Sequence, residues 1–128
     1  MAWRVHRKDK NHNEIVYVLD KIGFSVYDLS QVGGGMSDII VGINGVNFLF
    51  EIKTDKGRLN AIQKEFHGKW QGDVTVIRSA EEAMDYIAAK FAKKSFDKLM
   101  AKYKVLIPDY KEEYRLLQEE KRRRRRKK

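Results

Sequence analysis

Two apolar runs, SDIIVGI and VNFLFEIK, are separated by the dipeptide Asn44-Gly45. Asn-Gly between such runs is the strongest short-range signal of a β-hairpin, because a two-residue type I′ turn needs positive φ at both positions. Taking these two as the turn fixes the register. Ile43 opposes Val46, Gly42 opposes Asn47, Val41 opposes Phe48 and, carried down the ladder, Asp38 opposes Glu51. Directly opposed residues project to one face with their Cβ atoms about 4.5–5.5 Å apart. Lys53 shares that face by the two-residue alternation of a strand, while Phe48, Phe50 and Ile52 project to the other. The hairpin is therefore expected to pack the core with one face and to carry two acids and an amine on the opposite one.

Two opposed carboxylates repel, so either one takes up a proton or a cation sits between them. Oxygen ligands at this spacing suit Mg²⁺ or Mn²⁺. A lysine beside such an ion helps orient or deprotonate an attacking water, or stabilises charge developing on phosphorus. An exposed salt-bridge cluster of Asp38, Glu51 and Lys53 is the alternative.

The remaining elements follow from periodicity. Apolar residues at 15, 16, 18, 19 and 22 predict a helix from about Asn13 to Ile22, with Gly23 as its stop. FSVYDL reads as a strand and QVGGG as a loop. A helix from about Leu59 to Trp70 places 59, 62, 63, 66 and 70 on one stripe. Gln63 on that stripe needs partners, such as a site water, Lys53 or a phosphate, or else it sits at the stripe's boundary. VTVIR reads as a buried strand, and SAEEAMDYIAAKF opens a further helix with a serine cap and an acidic first turn. Residues beyond 88 are helical in character, with a break expected near Pro108. Glu14 borders the first helical stripe and either joins the acidic cluster or simply complements the helix dipole. His67, one turn after Gln63, either approaches the site or sits at its solvent edge. His6 and His12 carry little signal, and residues 1–10 read as a loose arm or an edge strand around Trp3 and Val5.

Charge is informative once located. The last eight residues, KRRRRRKK, hold eight basic groups; removing them from 27 leaves 19 against 18 acids, a nearly neutral body. Lys121, Arg122, Arg123, Arg124, Arg125, Arg126, Lys127 and Lys128 are the candidate nucleic-acid contacts, through salt-sensitive, sequence-independent binding to phosphates. A solvated helix end or a partner-binding tag is the alternative. The chain has no cysteine, which excludes disulfides, zinc–thiolate sites and cysteine nucleophiles. No apolar run reaches membrane-spanning length, and MAWRVHRKDK does not resemble a secretory signal. GGGMSD lacks the Gly-Lys-Ser/Thr of a phosphate-binding loop.

Asp38 followed by Glu51-Ile52-Lys53, with a glycine loop before and a Gln63-bearing helix after, resembles the PD-(D/E)xK nuclease superfamily. The likeness is closest to small bacterial and phage nucleases of the VRR-NUC and Holliday-junction-resolvase-like type, with their pattern V-x-D-L-S-x-V-G-G-G-x-P-D-L-x-V-G, E-V-K, L-T-x-x-Q-x-x-F-H-x-x-W-x-G. It covers roughly residues 4–88 and departs at Ser37, where proline is usual, and in the short TDKGR connection. The resemblance implies that Asp38, Glu51 and the Ile52 backbone carbonyl hold the metal, that Lys53 is the catalytic lysine, and that Glu14 and Gln63 are accessory site residues.

The expected architecture is an α/β, restriction-endonuclease-like αβββαβ core, a mixed sheet flanked by helices, with an appended C-terminal helical region. Residues 1–88 are expected to form the nuclease-like domain, 89–120 a helical extension and 121–128 a basic tail. The expected function is a Mg²⁺- or Mn²⁺-dependent DNA endonuclease, structure-selective for branched or junction DNA, cytoplasmic in a bacterial or phage-infected cell. A homodimer would suit a two-strand cut, and no membrane partner is expected. The alternative is a catalytically silent DNA-binding module, or a phage- or replication-associated protein that binds a partner through its helical tail.

Overall fold

A computed structural model of the protein describes residues 8–91 and 94–127; the expectations for Trp3, Val5, His6 and Lys128 fall outside them. The elements run α1 (His12–Ile22), β1 (Ser25–Asp28), β2 (Ile39–Ile43), β3 (Val46–Ile52), α2 (Ala61–Lys69), β4 (Val74–Ile77), α3 (Ala80–Lys90) and α4 (Lys94–Arg126). The fold is α/β, with one four-stranded mixed sheet in the order β1-β2-β3-β4. The first three strands are antiparallel neighbours, and β4 returns parallel to β3 through the α2 crossover.

The hairpin has the register that Asn44-Gly45 dictates, from Ile43 opposite Val46 to Ile39 opposite Phe50. Both turn residues have positive φ, 50° at Asn44 and 78° at Gly45, as the primed turn requires. One further bond, Asp38 N–H to the Phe50 carbonyl at 3.1 Å, carries the pairing to the end of the acidic segment.

On one side of the sheet, Ile39, Val41, Phe48, Phe50 and Ile52 pack against α1, α3 and α4. Phe48 and Phe50 are fully buried, and Tyr86 of α3 sets its ring edgewise against both. Burial of each such side chain stabilises the fold by about 1.5–3 kcal/mol. Helix α3 begins at Ser79, whose hydroxyl accepts the Glu82 amide at 3.1 Å, as its serine cap and acidic first turn lead one to expect.

The expected break near Pro108 does not occur: α4 runs 33 residues from Lys94 through the proline to Arg126. Proline removes one backbone donor and crowds the carbonyl four residues earlier, a local cost that packing on either side offsets. Phe96, Met100 and Ile107 enter the common core. Tyr114 packs on Tyr17 with ring centroids 5.3 Å apart, and Lys21 pairs with Glu113 at 3.1 Å. Lys111 reaches Glu81 at 3.0 Å, and Lys104 pairs with Asp85. Among the described residues no helix is long and apolar enough to cross a membrane.

Helix α2 departs from expectation in orientation. Its apolar residues were expected to face inward, yet Ile62 is 60% exposed and Trp70, just past its end, 45% exposed. The one buried residue of the helix is Gln63. The reason lies in what the helix covers, a charged strand face that offers hydrogen bonds rather than apolar contact.

Candidate metal-binding and catalytic site

The far face of the hairpin carries Asp38, Glu51 and Lys53, all buried. They are not a solvated surface cluster. Asp38 is oriented by the strand beside it: its Oδ2 accepts the Ile52 amide at 2.7 Å, while its own carbonyl accepts Leu29 N–H at 2.7 Å. Lys53 is fixed through its backbone, its N–H donating to the Ile77 carbonyl at 3.0 Å at the end of the β3–β4 pairing.

Gln63 serves two structures at once. Its side-chain carbonyl accepts the Asn60 amide at 3.0 Å, and Asn60 Oδ1 accepts the Gln63 amide at 2.9 Å, closing a capping box at the start of α2. Its remaining group, Nε2, donates to Glu51 Oε1 at 2.8 Å. The box fixes the amide, and the amide fixes the acid.

Glu51 Oε2 has no donor, and the group nearest in chemical effect is the Asp38 carboxylate. Burial and then the proximity of Asp38 push the Glu51 carboxyl up from 4.5 to about 9, against the opposing pull of Lys53, with Asp9 adding a smaller upward push. Two carboxylates facing each other are both acceptors, so a proton or a cation must lie between them.

Asp9 and Asn11 carried no signal in a polar segment without periodicity, but both belong here. Asp9 presents a second buried, donorless oxygen, Oδ2, and acts on Glu51. Asn11 Nδ2 donates to the Lys53 carbonyl at 3.1 Å and to the Arg78 carbonyl at 2.9 Å, tying the start of α1 to the ends of β3 and β4. Arg78 in turn donates to the carbonyls of Thr54 and of Gly57, the latter at 2.9 Å, which holds the TDKGR connection. The only sequence cue was a pair of amide and carboxylate side chains just ahead of a helix start.

His67 lies toward the site. Burial and the charge of Lys53 hold its imidazole below the ordinary value, and its Nε2 is buried without a partner. Glu14 is placed differently: it lines a hollow against α4 with Tyr114, Arg115, Gln118, Glu119, Arg122, Arg123 and Arg126. His12 is buried as a strut, its Nε2 2.9 Å from Asp28 Oδ2, while Asp28 Oδ1 accepts the Ser30 amide and hydroxyl at 2.8 and 2.6 Å. The glycine loop reaches α2 through Gly35, which has a φ of 83°. A Cβ there would lie 2.8 Å from Ile62 Cγ2 and 2.9 Å from its carbonyl oxygen, so glycine is required on two counts.

The basic segment is helical, continuing α4 as far as Arg126. Arg115 is engaged by Glu112 and Glu119, and Arg124 by Glu120 at 2.8 Å.

The donor set suits a hard divalent cation in kind, with the carboxylates of Asp38 and Glu51 opposed and Glu51 Oε2 buried without a donor. In spacing it is lean: among the described residues no group of three or more His, Asp or Glu is disposed to hold a metal ion. Comparison with protein-family models, curated proteins and solved structures returns no match.

Proposed function

We propose that the protein is a Mg²⁺- or Mn²⁺-dependent DNA endonuclease with a restriction-endonuclease-like PD-(D/E)xK core. The observation that carries this reading is the buried pair Asp38 and Glu51, held opposed by the Ile52 amide and the Gln63 side chain with Lys53 two residues on. Two opposed buried carboxylates destabilise the sheet unless a proton or a cation between them offsets the repulsion, and the proposed ion does so. The α-β-β-β-α-β order is the one the superfamily resemblance implies, and the hairpin register is the one the Asn44-Gly45 turn dictates.

Asp38, Glu51 and the Ile52 carbonyl would hold the ion, which supplies charge neutralisation at the scissile phosphate and lowers the pKa of a nucleophilic water. The chain's own contributions are separate. The Ile52 amide keeps one Asp38 oxygen engaged and so orients the other. Gln63 holds Glu51 Oε1, and Asn11 anchors the backbone from which Lys53 projects. The Lys53 ammonium offers positive charge to a phosphate oxygen or orients the attacking water. Glu14, which lines the hollow against α4, has no part in holding the ion in this reading. Lys121 to Lys128 add affinity through phosphates. Selection of branched or junction DNA, a cytoplasmic setting and a homodimer for two-strand cutting belong to the same proposal.

The lean acid set favours one competing reading, a DNA-binding module on the same fold whose acid pair is satisfied by a shared proton. Incubation of the purified protein with branched, single-stranded and duplex DNA in Mg²⁺, Mn²⁺ or EDTA separates the two. Cleavage that needs the ion and is lost in Lys53→Ala and Asp38→Asn supports the nuclease. Binding without cleavage of any substrate, unchanged in both variants, establishes the module instead.

A further inference from the structure

Helix α4 is anchored as far as Tyr114, which packs on Tyr17, and then runs on through residues 115–126 alongside the start of α1. Positions 118, 122 and 126 are four apart, and so are 115, 119 and 123, so the two rows lie side by side on one face of the helix. With Tyr114 and Glu14 they line a hollow of about 610 Å³.

We propose that this hollow is a seat for the sugar–phosphate backbone of duplex DNA, held by Arg122, Arg123 and Arg126. This rests on the nuclease reading and narrows the phosphate contacts of the basic segment to one face of the helix. Lys121 and Arg124, on the outer side, contribute diffuse charge only.

Charge selects a polyanion. Arg115 is already engaged, by Glu112 at 2.6 Å and by Glu119 at 3.2 Å. Arg122, Arg123 and Arg126 make no ion pair among the described residues, and the one acid left against them in the hollow is Glu14. Two positive charges therefore remain uncompensated. Arg122 and Arg126, one turn apart, also repel each other, and a bound anion relieves that repulsion. A guanidinium donates in a planar fork to two phosphate oxygens, a geometry that a lysine does not offer. Cations repeated at about 6 Å along a helix suit an anion that itself repeats.

Position selects DNA. Asn11 Nδ2 lies 3.1 Å from the Lys53 carbonyl, and Glu14 follows Asn11 by three residues, about 5–6 Å on a helix. Just ahead of Asn11, Lys8, Asp9 and Lys10 line an open hollow with Thr54, Asp55 and Lys56, the residues that follow Lys53. The start of α1 thus links the arginine seat to the Lys53 backbone across about 10 Å, or about three base-pair steps at 3.4 Å. A duplex with one phosphate at Lys53 continues over the arginines.

The test titrates the full chain with a short DNA duplex in EDTA over a range of salt. Alanine keeps the helix, so charge is the property that changes. Arg122→Ala combined with Arg126→Ala is expected to flatten the slope of log K against log salt by about 1.8, at about 0.9 per contact. Lys121→Ala combined with Arg124→Ala removes the same charge from the outer side, where Arg124 is already engaged by Glu120 at 2.8 Å. It is expected to change the slope by less than one such contact. Glu14→Gln, which strips the acid from the hollow, is expected to tighten binding. Equal flattening by the two double variants overturns the seat, because the segment then acts as diffuse charge. A slope that the Arg122 and Arg126 pair does not change overturns it as well. So does a polyglutamate chain that binds more tightly than the duplex with the same dependence on these arginines, which assigns the hollow to an acidic protein. Cleavage in Mg²⁺ is scored separately: if it persists while the two double variants bind alike, the seat fails and the nuclease stands. Face-specific binding without any cleavage keeps the seat and removes the nuclease.

Discussion

Gln63 Nε2 donates to Glu51 Oε1 at 2.8 Å, and Gln63 is the only buried residue of its helix. A polar side chain thus holds α2 to the sheet where apolar ones were expected. Replacing Gln63 with alanine opens half the capping box and strips a buried acid of its donor, and is expected to destabilise the protein by about 1–3 kcal/mol. Ile62→Ala, on the exposed ridge, is expected to cost less. Urea unfolding of the two variants compares them, and a larger loss for Ile62→Ala would contradict the assignment of the buried face.

The raised Glu51 carboxyl sets a pH dependence. Its pKa in the folded state is about 9 against 4.5 in the unfolded chain, so between those values the folded state keeps a proton that the unfolded state releases. The stability this group contributes is complete below pH 4.5 and falls as pH rises toward 9. In metal-free buffer the Tm of the wild type should fall across this window more steeply than that of Glu51→Gln. Parallel Tm–pH profiles would contradict it.

Asp28 has the opposite sign. Burial raises its carboxyl, but the Ser30 hydroxyl and amide, then His12 and Lys8, outweigh burial and hold it well below the ordinary 3.8. Its stabilisation is present above that value and is lost as pH falls below it. Asp28→Asn should therefore lower Tm at neutral pH and narrow its gap to the wild type below about pH 3. A gap that is constant with pH would assign Asp28 no electrostatic role.

The helical basic end makes a salt-dependence prediction. Each phosphate neutralised contributes a slope of about −0.9 to log K against log salt on duplex DNA. Deleting 121–128, with Arg124 already engaged by Glu120, should flatten the slope by several such increments. An unchanged slope would remove the segment from the DNA interface.

How much of this was legible depends on the range of each interaction. The hairpin register could be read because Asn44-Gly45 is a local signal that fixes everything paired above it. The face of α2 could not: periodicity ranks side chains by polarity, whereas Gln63 is drawn inward by Glu51, twelve residues away. Pro108 carries a local penalty that is real, but α4 is held by Ile107 before it and Tyr110 after it, against a core formed by other elements. Asp9 and Asn11 act on Glu51 and Lys53 from a segment without hydrophobic pattern, and only the closed fold brings them together.

The proposed nuclease requires Asp38 and Glu51 to form a cation seat that a proton occupies when no ion is bound. Calorimetric titration of Mn²⁺ into metal-free protein at pH 7.5, in two buffers of different ionisation enthalpy, measures both binding and proton release. The account predicts saturable binding with release of about one proton per ion. It also predicts lost proton release in Glu51→Gln and lost binding in Asp38→Asn. Binding that releases no proton, or that both variants retain, would contradict it.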